Sequence, residues 1–254
     1  MENLTKSLEG FAFFNKKWEK LNIKAPKEIK LQIYINNSRF VSILATPHKL
    51  KYLVIGFLFA EGIINNLVDI TDFKIDNKNY IAYIQLKKNI KLPDGKILTS
   101  GFGKGTMFKT EGTIVKSALK IEPEKIFSYV EDMYARMEIY KISGGIHASA
   151  LADNDKVITV AEDIGRHNTF DKILGEAVLK NINTEDKIIL TTGRISTEML
   201  LKASNMNIPI TCTLKIPTEN AIAIGKELGI TLVGHIKERK LVVFTYPERL
   251  GYNS

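Results

Sequence analysis

The stretch VITVAEDIGRHNTFDKILGEAVLK, residues 157–180, changes its period half-way along. Val157 to Ala161 alternate and branch like a strand, whereas Phe170, Ile173, Leu174, Ala177 and Val178 recur at helical spacing. The polar octet AEDIGRHN, residues 161–168, therefore spans a strand end, a turn and the first turn of a helix. Two further strand, loop, helix units follow, Lys187 to Asn205 and Ile208 to Leu228, and Leu232 to Ile236 and Leu241 to Phe244 close the chain as strands. Strands alternating with helices imply an α/β architecture with a largely parallel sheet covered on both faces. Upstream, Pro123 opens a helix whose buried stripe is read as Ile126, Phe127, Val130, Met133, Tyr134 and Met137.

The first half has a different grammar. Ile29 to Ile35 and Phe40 to Leu44 read as a hairpin around Asn36, Asn37 and Ser38, and Lys49 to Glu61 as a helix ended by Gly62. Phe73 to Ile75 and Tyr80 to Leu86 suggest a second hairpin, before a glycine-rich loop at Gly101 to Gly105. The expected division is a β-rich region over residues 1–115, with one helix and the glycine loop, and an α/β domain over 116–254.

Of 254 residues, 44% are hydrophobic and 25% charged, the composition of a globular chain with a sizeable core. The apolar run Leu53 to Phe59 is too short to span a bilayer, and the charged N-terminus lacks a signal-peptide block, so a cytoplasmic protein is expected without membrane attachment. The net charge of +8 is spread along the chain, with KERK, Lys237 to Lys240, its one dense run. Such a balance favours anionic ligands, and no nucleic-acid-binding signature accompanies it. A single cysteine, Cys212, excludes an internal disulfide, and it sits in the apolar run IPITCTL as a small buried residue would. The four histidines are scattered, so no zinc site is expected.

Ligands of open α/β sheets bind beyond the carboxyl ends of the strands. Three loops lie there: one with Glu162, Asp163, Arg166 and His167; one, TTGRIST, with Thr191, Thr192, Gly193, Arg194 and Ser196; one with Lys215, Pro217 and Thr218. Amide donors at a helix start attract an anion, and Arg166 and Arg194 add permanent charge. If the first two loops sit on neighbouring strands, they can hold two phosphates. The plainer readings stay open: Asn168 as a cap, and TTGRIST as a glycine turn with a Ser196 or Thr197 cap. In SGGIHAS, residues 143–149, paired glycines let backbone approach a ligand beside His147, which is otherwise a structural histidine. Lys104, between Gly103 and Gly105, is placed to close over such a ligand.

Together, TPHKLKYLVIGFLFAEGII from Thr46, SGGIHAS from Ser143, AEDIGRHNTFDK from Ala161, TTGRISTEM from Thr191 and LVGHIKERKLVVFTYPERL at the end resemble the FdhD family over all but about the first two dozen residues. The resemblance implies a formate dehydrogenase accessory protein: a homodimeric, cytoplasmic sulfur carrier that takes sulfur from a cysteine desulfurase and delivers it to the molybdenum cofactor. It implies a cytidine deaminase-like three-layer α/β/α C-terminal domain with a smaller β-rich N-terminal region. The cofactor, bis(molybdopterin guanine dinucleotide), would be bound as cargo at His235, Ile236, Lys237, Glu238, Arg239 and Lys240, with GDP as its expected mimic. Read without the family, KERK is a charged hairpin tip.

The family's sulfur-carrying loop bears cysteine, where this chain has Phe102 and Gly105. Sulfur transfer needs a thiolate. The expectation is thus a cofactor-binding maturation factor with Arg166, Arg194, Lys237, Arg239 and Lys240 on phosphates, His147 and His167 orienting polar groups, and Gly193 giving backbone access. Alternatives are a sulfurtransferase acting through Cys212 and a nucleotide-binding paralogue without sulfur transfer. A nucleoside deaminase, suggested by the implied fold alone, lacks the zinc-binding cysteine pair and the histidine-x-glutamate element.

Overall fold

The computed structural model describes residues 4–88, 96–98 and 111–252. The glycine-rich loop, with Phe102, Lys104 and Gly105, lies outside the described residues. The chain opens with an antiparallel ribbon, β1 (Thr5–Phe14) and β2 (Lys17–Pro26), turned by Asn15 and Lys16, which both take positive φ. Then come β3 (Ile29–Ile35), β4 (Ser38–Ala45), α1 (Leu50–Ala60), β5 (Ile70–Asp76), β6 (Ile81–Leu86) and β7 (Lys96–Leu98). The last five strands form one sheet in the order β5-β6-β3-β4-β7. Alternating Ile29, Leu31, Ile33 and Ile35 face α1, whose Leu53, Val54, Phe57 and Leu58 complete this core.

The second half contains α2 (Pro123–Ala135), α3 (Glu138–Ser143), β8 (His147–Ala152), β9 (Val157–Asp163), α4 (Arg166–Leu179), β10 (Ile188–Thr191), α5 (Thr197–Asn205), β11 (Ile210–Thr213), α6 (Glu219–Leu228), β12 (Thr231–Lys237) and β13 (Lys240–Val243). Its sheet runs β13-β12-β11-β10-β8-β9. Helices α4, α5 and α6 pack on one face through Phe170, Ile173, Met199, Leu200 and Ala221. Helix α2 covers the other through Ile126, Tyr129 and Met133. The expected three-layer α/β/α domain and the smaller β-rich N-terminal region are both present.

Two expectations need correction. The sheet is mixed: β10, β11 and β12 are parallel, but β8 runs antiparallel to both β9 and β10. Strands β9 and β10 are therefore not neighbours. The short turn between β8 and β9 permits only antiparallel pairing, so β8 is laid between them. Likewise Tyr134 is not in the buried stripe of α2; it is 38% exposed, and Tyr129 takes the buried place, its hydroxyl donating to the Asp153 carbonyl at 2.8 Å.

The two sheets are joined where α1 crosses α4. A Cβ on Gly56 would lie 1.8 Å from the Asp171 carbonyl oxygen, and one on Gly175 1.9 Å from that of Tyr52, so the backbones touch at both glycines. Helix α1 is thus covered on both sides, which accounts for the uninterrupted apolar run Leu53 to Phe59.

Candidate functional site

The register of the sheet brings the polar segments to one edge. His147 pairs with Asp163, Thr191 faces Thr213 in the parallel ladder, and β12 ends alongside at Lys237. The start of β8 and the ends of β9, β10, β11 and β12 therefore share this edge, and α4 and α5 both begin there.

Much of AEDIGRHN is structural. The Asp163 carboxylate is fully buried, 2.6 Å from the Lys172 ammonium, and accepts hydrogen bonds from the Thr46 amide (3.0 Å), the Gly165 amide (2.9 Å) and Asn168 Nδ2 (2.7 Å). Asn168 also donates to the Leu44 carbonyl, and Lys172 to the carbonyls of Thr46 and Glu162. Glu162 accepts the amides of Ile139 and Tyr140 at the start of α3. Glu162 and Asp163, expected among the ligand-facing groups of their loop, are instead turned inward. A buried charge must be paired and hydrogen-bonded, and the residues from Leu44 to Thr46 supply partners that no local reading of 161–168 contains. Nor does Asn168 cap α4, whose cap position is Gly165.

Arg166 and His167 remain at the site. The Arg166 stem lies across Gly193, where an added Cβ would meet its Cβ at 2.7 Å; glycine there allows the AEDIGRHN and TTGRIST loops to interlock. The Arg166 Nε is buried and meets no hydrogen-bond partner among the described residues. Neither does the buried Ser196 Oγ, at the cap position of α5. Its neighbours are engaged: Thr191 Oγ1 accepts the Gly193 amide at 3.1 Å, Thr192 Oγ1 accepts the Ala148 amide at 3.0 Å, and Thr213 Oγ1 donates to the Gly193 carbonyl at 2.7 Å. Those hydroxyls hold the loop's shape, and the Ser196 hydroxyl alone among them is left without a partner among the described residues.

Two histidines stand beside Arg166. Burial first, then the charges of Lys202 and Arg166, holds the His167 imidazole down at about 3. It is neutral at physiological pH, so its 3.7 Å approach to Glu198 carries no ion pair. Burial pushes Glu198 above the usual carboxylate range. His147, 3.5 Å from Thr192 Oγ1, is likewise held low, by burial and then by Arg166. Lys215 acts on His147 in the same direction, which ties this cluster to the adjoining cleft.

That cleft, of about 650 Å³, is lined by Tyr134, Arg194, Leu214, Lys215, Ile216, Pro217, His235, Ile236 and Lys237. Of the expected residues, Arg194, His235, Ile236 and Lys237 come together here, and His147, Arg166, His167 and Gly193 cluster at the adjoining strand ends. His235, at positive φ in a bulge of β12, donates its amide to the Lys215 carbonyl. The remaining three are not cleft-lining: Glu238 pairs with Lys237, Arg239 reaches Glu131 of α2 at 3.2 Å, and Lys240 is exposed on β13. Consecutive positive φ angles at Glu238 and Arg239 make the KERK tip a tight two-residue turn that points these side chains outward. Reading the sequence named Ser196 in its loop but missed Tyr134 as a wall; a tyrosine hydroxyl within an otherwise apolar stripe was the available signal.

A sequence profile of the FdhD/NarQ family matches residues 26–251. The chain belongs to the FdhD/NarQ family. It is 36% identical over 233 residues to the sulfur carrier protein FdhD of Bacillus subtilis, covering 88% of each chain. It is 34% identical to that of Bacillus licheniformis, covering 99% of each, and 36% identical to that of Saccharolobus solfataricus, covering 83% of each. The fold matches the crystal structure of a formate dehydrogenase accessory protein from Desulfotalea psychrophila with a TM-score of 0.82, covering 97% of this chain and 99% of that one at 22% identity.

Proposed function

We propose that this FdhD/NarQ-family chain binds bis(molybdopterin guanine dinucleotide) as cargo at the shared strand-end edge, for delivery to a formate dehydrogenase. The observation that carries the reading is that two buried polar atoms at the starts of α4 and α5, Arg166 Nε and Ser196 Oγ, have no hydrogen-bond partner among the described residues. Buried donors without acceptors are costly, and phosphate oxygens supply acceptors. Arg194, Lys215 and Lys237 extend the same positive edge into the cleft, matching a ligand with more than one phosphate. The neutral imidazoles of His147 and His167 are suited to hydrogen-bond polar groups of the ligand without adding charge.

The chain's one thiol argues against sulfur transfer through a persulfide of its own. Cys212 is fully buried in the centre of the sheet, and burial pushes its thiol far above the ordinary range. A protonated, inaccessible thiol is neither nucleophile nor acceptor. The role is therefore cofactor binding in the cytoplasm, and a cysteine desulfurase and a second copy of the chain are the further partners proposed for it. After incubation with a desulfurase and cysteine, intact-mass measurement should show no added sulfur on Cys212; a persulfide there would restore the sulfurtransferase reading.

Isothermal titration with GDP tests the site directly. Charge-assisted hydrogen bonds are each worth about 1.5–3 kcal/mol, so Arg166→Ala should weaken GDP binding by roughly 10- to 100-fold. Lys237→Ala, at an exposed strand end that carries no packing, should weaken it less. Absence of GDP binding by the wild type, or equal binding by both variants, rejects the proposal.

A further inference from the structure

We infer that Tyr134, braced by Tyr140, is the platform on which the cleft stacks the flat base of a nucleoside diphosphate. This deepens the preceding reading and rests on it.

The lining of the cleft is of two chemical kinds. Arg194, Lys215 and Lys237 are cationic, whereas Leu214, Ile216, Pro217 and Ile236 are apolar, and Tyr134 adds a phenol ring to the wall. Inorganic phosphate would satisfy the first kind and leave the second wet. A ligand with phosphates at one end and a planar ring at the other fits both. Ile216 is 58% exposed and Tyr134 38%, so apolar surface stands open beside the charges.

Tyr134 is also held in place. Its ring meets that of Tyr140 at a centroid distance of 5.9 Å and an interplanar angle of 60°, an inclined contact rather than a face-to-face stack. Tyr140 in turn is anchored through its amide, donated to buried Glu162 at 2.8 Å. Helix α2 is tied to the neighbouring strand tip by Glu131 and Arg239, one turn before Tyr134. Burial raises the Tyr134 phenol, which stays neutral and able to donate to a ring heteroatom. A pre-positioned ring gives stacking without an ordering cost.

Titrations of GDP and of inorganic pyrophosphate against the wild type, Tyr134→Ala and Tyr134→Phe separate the ring from the charges. Loss of a base–aromatic stack should weaken GDP binding roughly tenfold in Tyr134→Ala, leave pyrophosphate binding unchanged, and be restored in Tyr134→Phe. Equal GDP affinity in wild type and Tyr134→Ala overturns the platform while leaving the anion site standing. So does a wild type that binds GDP no more tightly than pyrophosphate, or a parallel loss of both ligands in Tyr134→Ala. A wild type that binds neither ligand removes the anion site and the platform together.

Discussion

Individual side chains at the shared strand-end edge are kept in unusual states by their surroundings, and the consequences are measurable. His167 is held at about 3, against 6.5 for an ordinary imidazole, because burial and the cations Lys202 and Arg166 oppose its charging. Between those two values the unfolded chain binds a proton that the folded chain refuses. Stability is therefore full above about pH 6.5 and falls as the pH drops toward 3. His147 and His48 are shifted in the same direction, each by burial first. Urea unfolding at pH 7.5 and pH 5 should show this loss, and His167→Gln should reduce its slope by up to about 1.4 kcal/mol per pH unit. At the Asp163–Lys172 pair, 2.6 Å apart with both side chains fully buried, Lys172→Met leaves a carboxylate without its counter-charge. A cost of about 3–5 kcal/mol in urea unfolding is expected. Cys212 should resist a thiol reagent in the native protein and react fully in denaturant.

Among the elements, α1 and α4 carry the join between the two sheets. Their contact is backbone on backbone at Gly56 and Gly175, and polar ties flank it: Lys49 donates to Glu176 at 2.7 Å and to the Val160 carbonyl at 2.9 Å, and Lys202 pairs with Asp171 at 2.7 Å and Glu61 at 3.4 Å. A methyl group at Gly175 has nowhere to go but into the Tyr52 carbonyl, so Gly175→Ala must push the helices apart. A loss of about 3 kcal/mol is expected, at the upper end for overpacking because backbone cannot rotate away. The β1–β2 ribbon is the opposite case: Phe11, Phe13, Phe14 and Trp18 are each at least 60% exposed, and it precedes the family match at residue 26. Two strands alone are marginally stable. Removal of this ribbon should cost less stability than Gly175→Ala, as urea unfolding would read.

For the molecule as a whole, the buried network through Leu44, Thr46, Asp163, Asn168 and Lys172 links the two sheets, which are therefore expected to unfold as one unit. Thermal unfolding followed by far- and near-ultraviolet circular dichroism should give coincident single transitions; two separated steps would contradict the coupling. The local grammar of the chain was readable without coordinates: the period change across residues 157–180, the helix from Leu50, and the hairpins at Asn36 and Asn77 all depend on near neighbours. So was the gathering of polar loops at strand ends, since it follows from strands alternating with helices. Which of those polar groups face a ligand was not readable. Glu162 and Asp163 look like site residues until α3 and the Leu44–Thr46 segment, distant in sequence, arrive to take their hydrogen bonds. Ser196 occupies the cap position of α5 as its sequence suggests, yet its hydroxyl makes no cap hydrogen bond. The sequence alone determined many of the elements, though not the β1–β2 ribbon, α3 or β8, together with the α/β class and the positive charge available at the strand ends, because periodicity and composition act locally. Only the tertiary structure decided strand order, the inward turn of the carboxylates and the opening of Tyr134 into the cleft, because burial and pairing depend on what packs from afar.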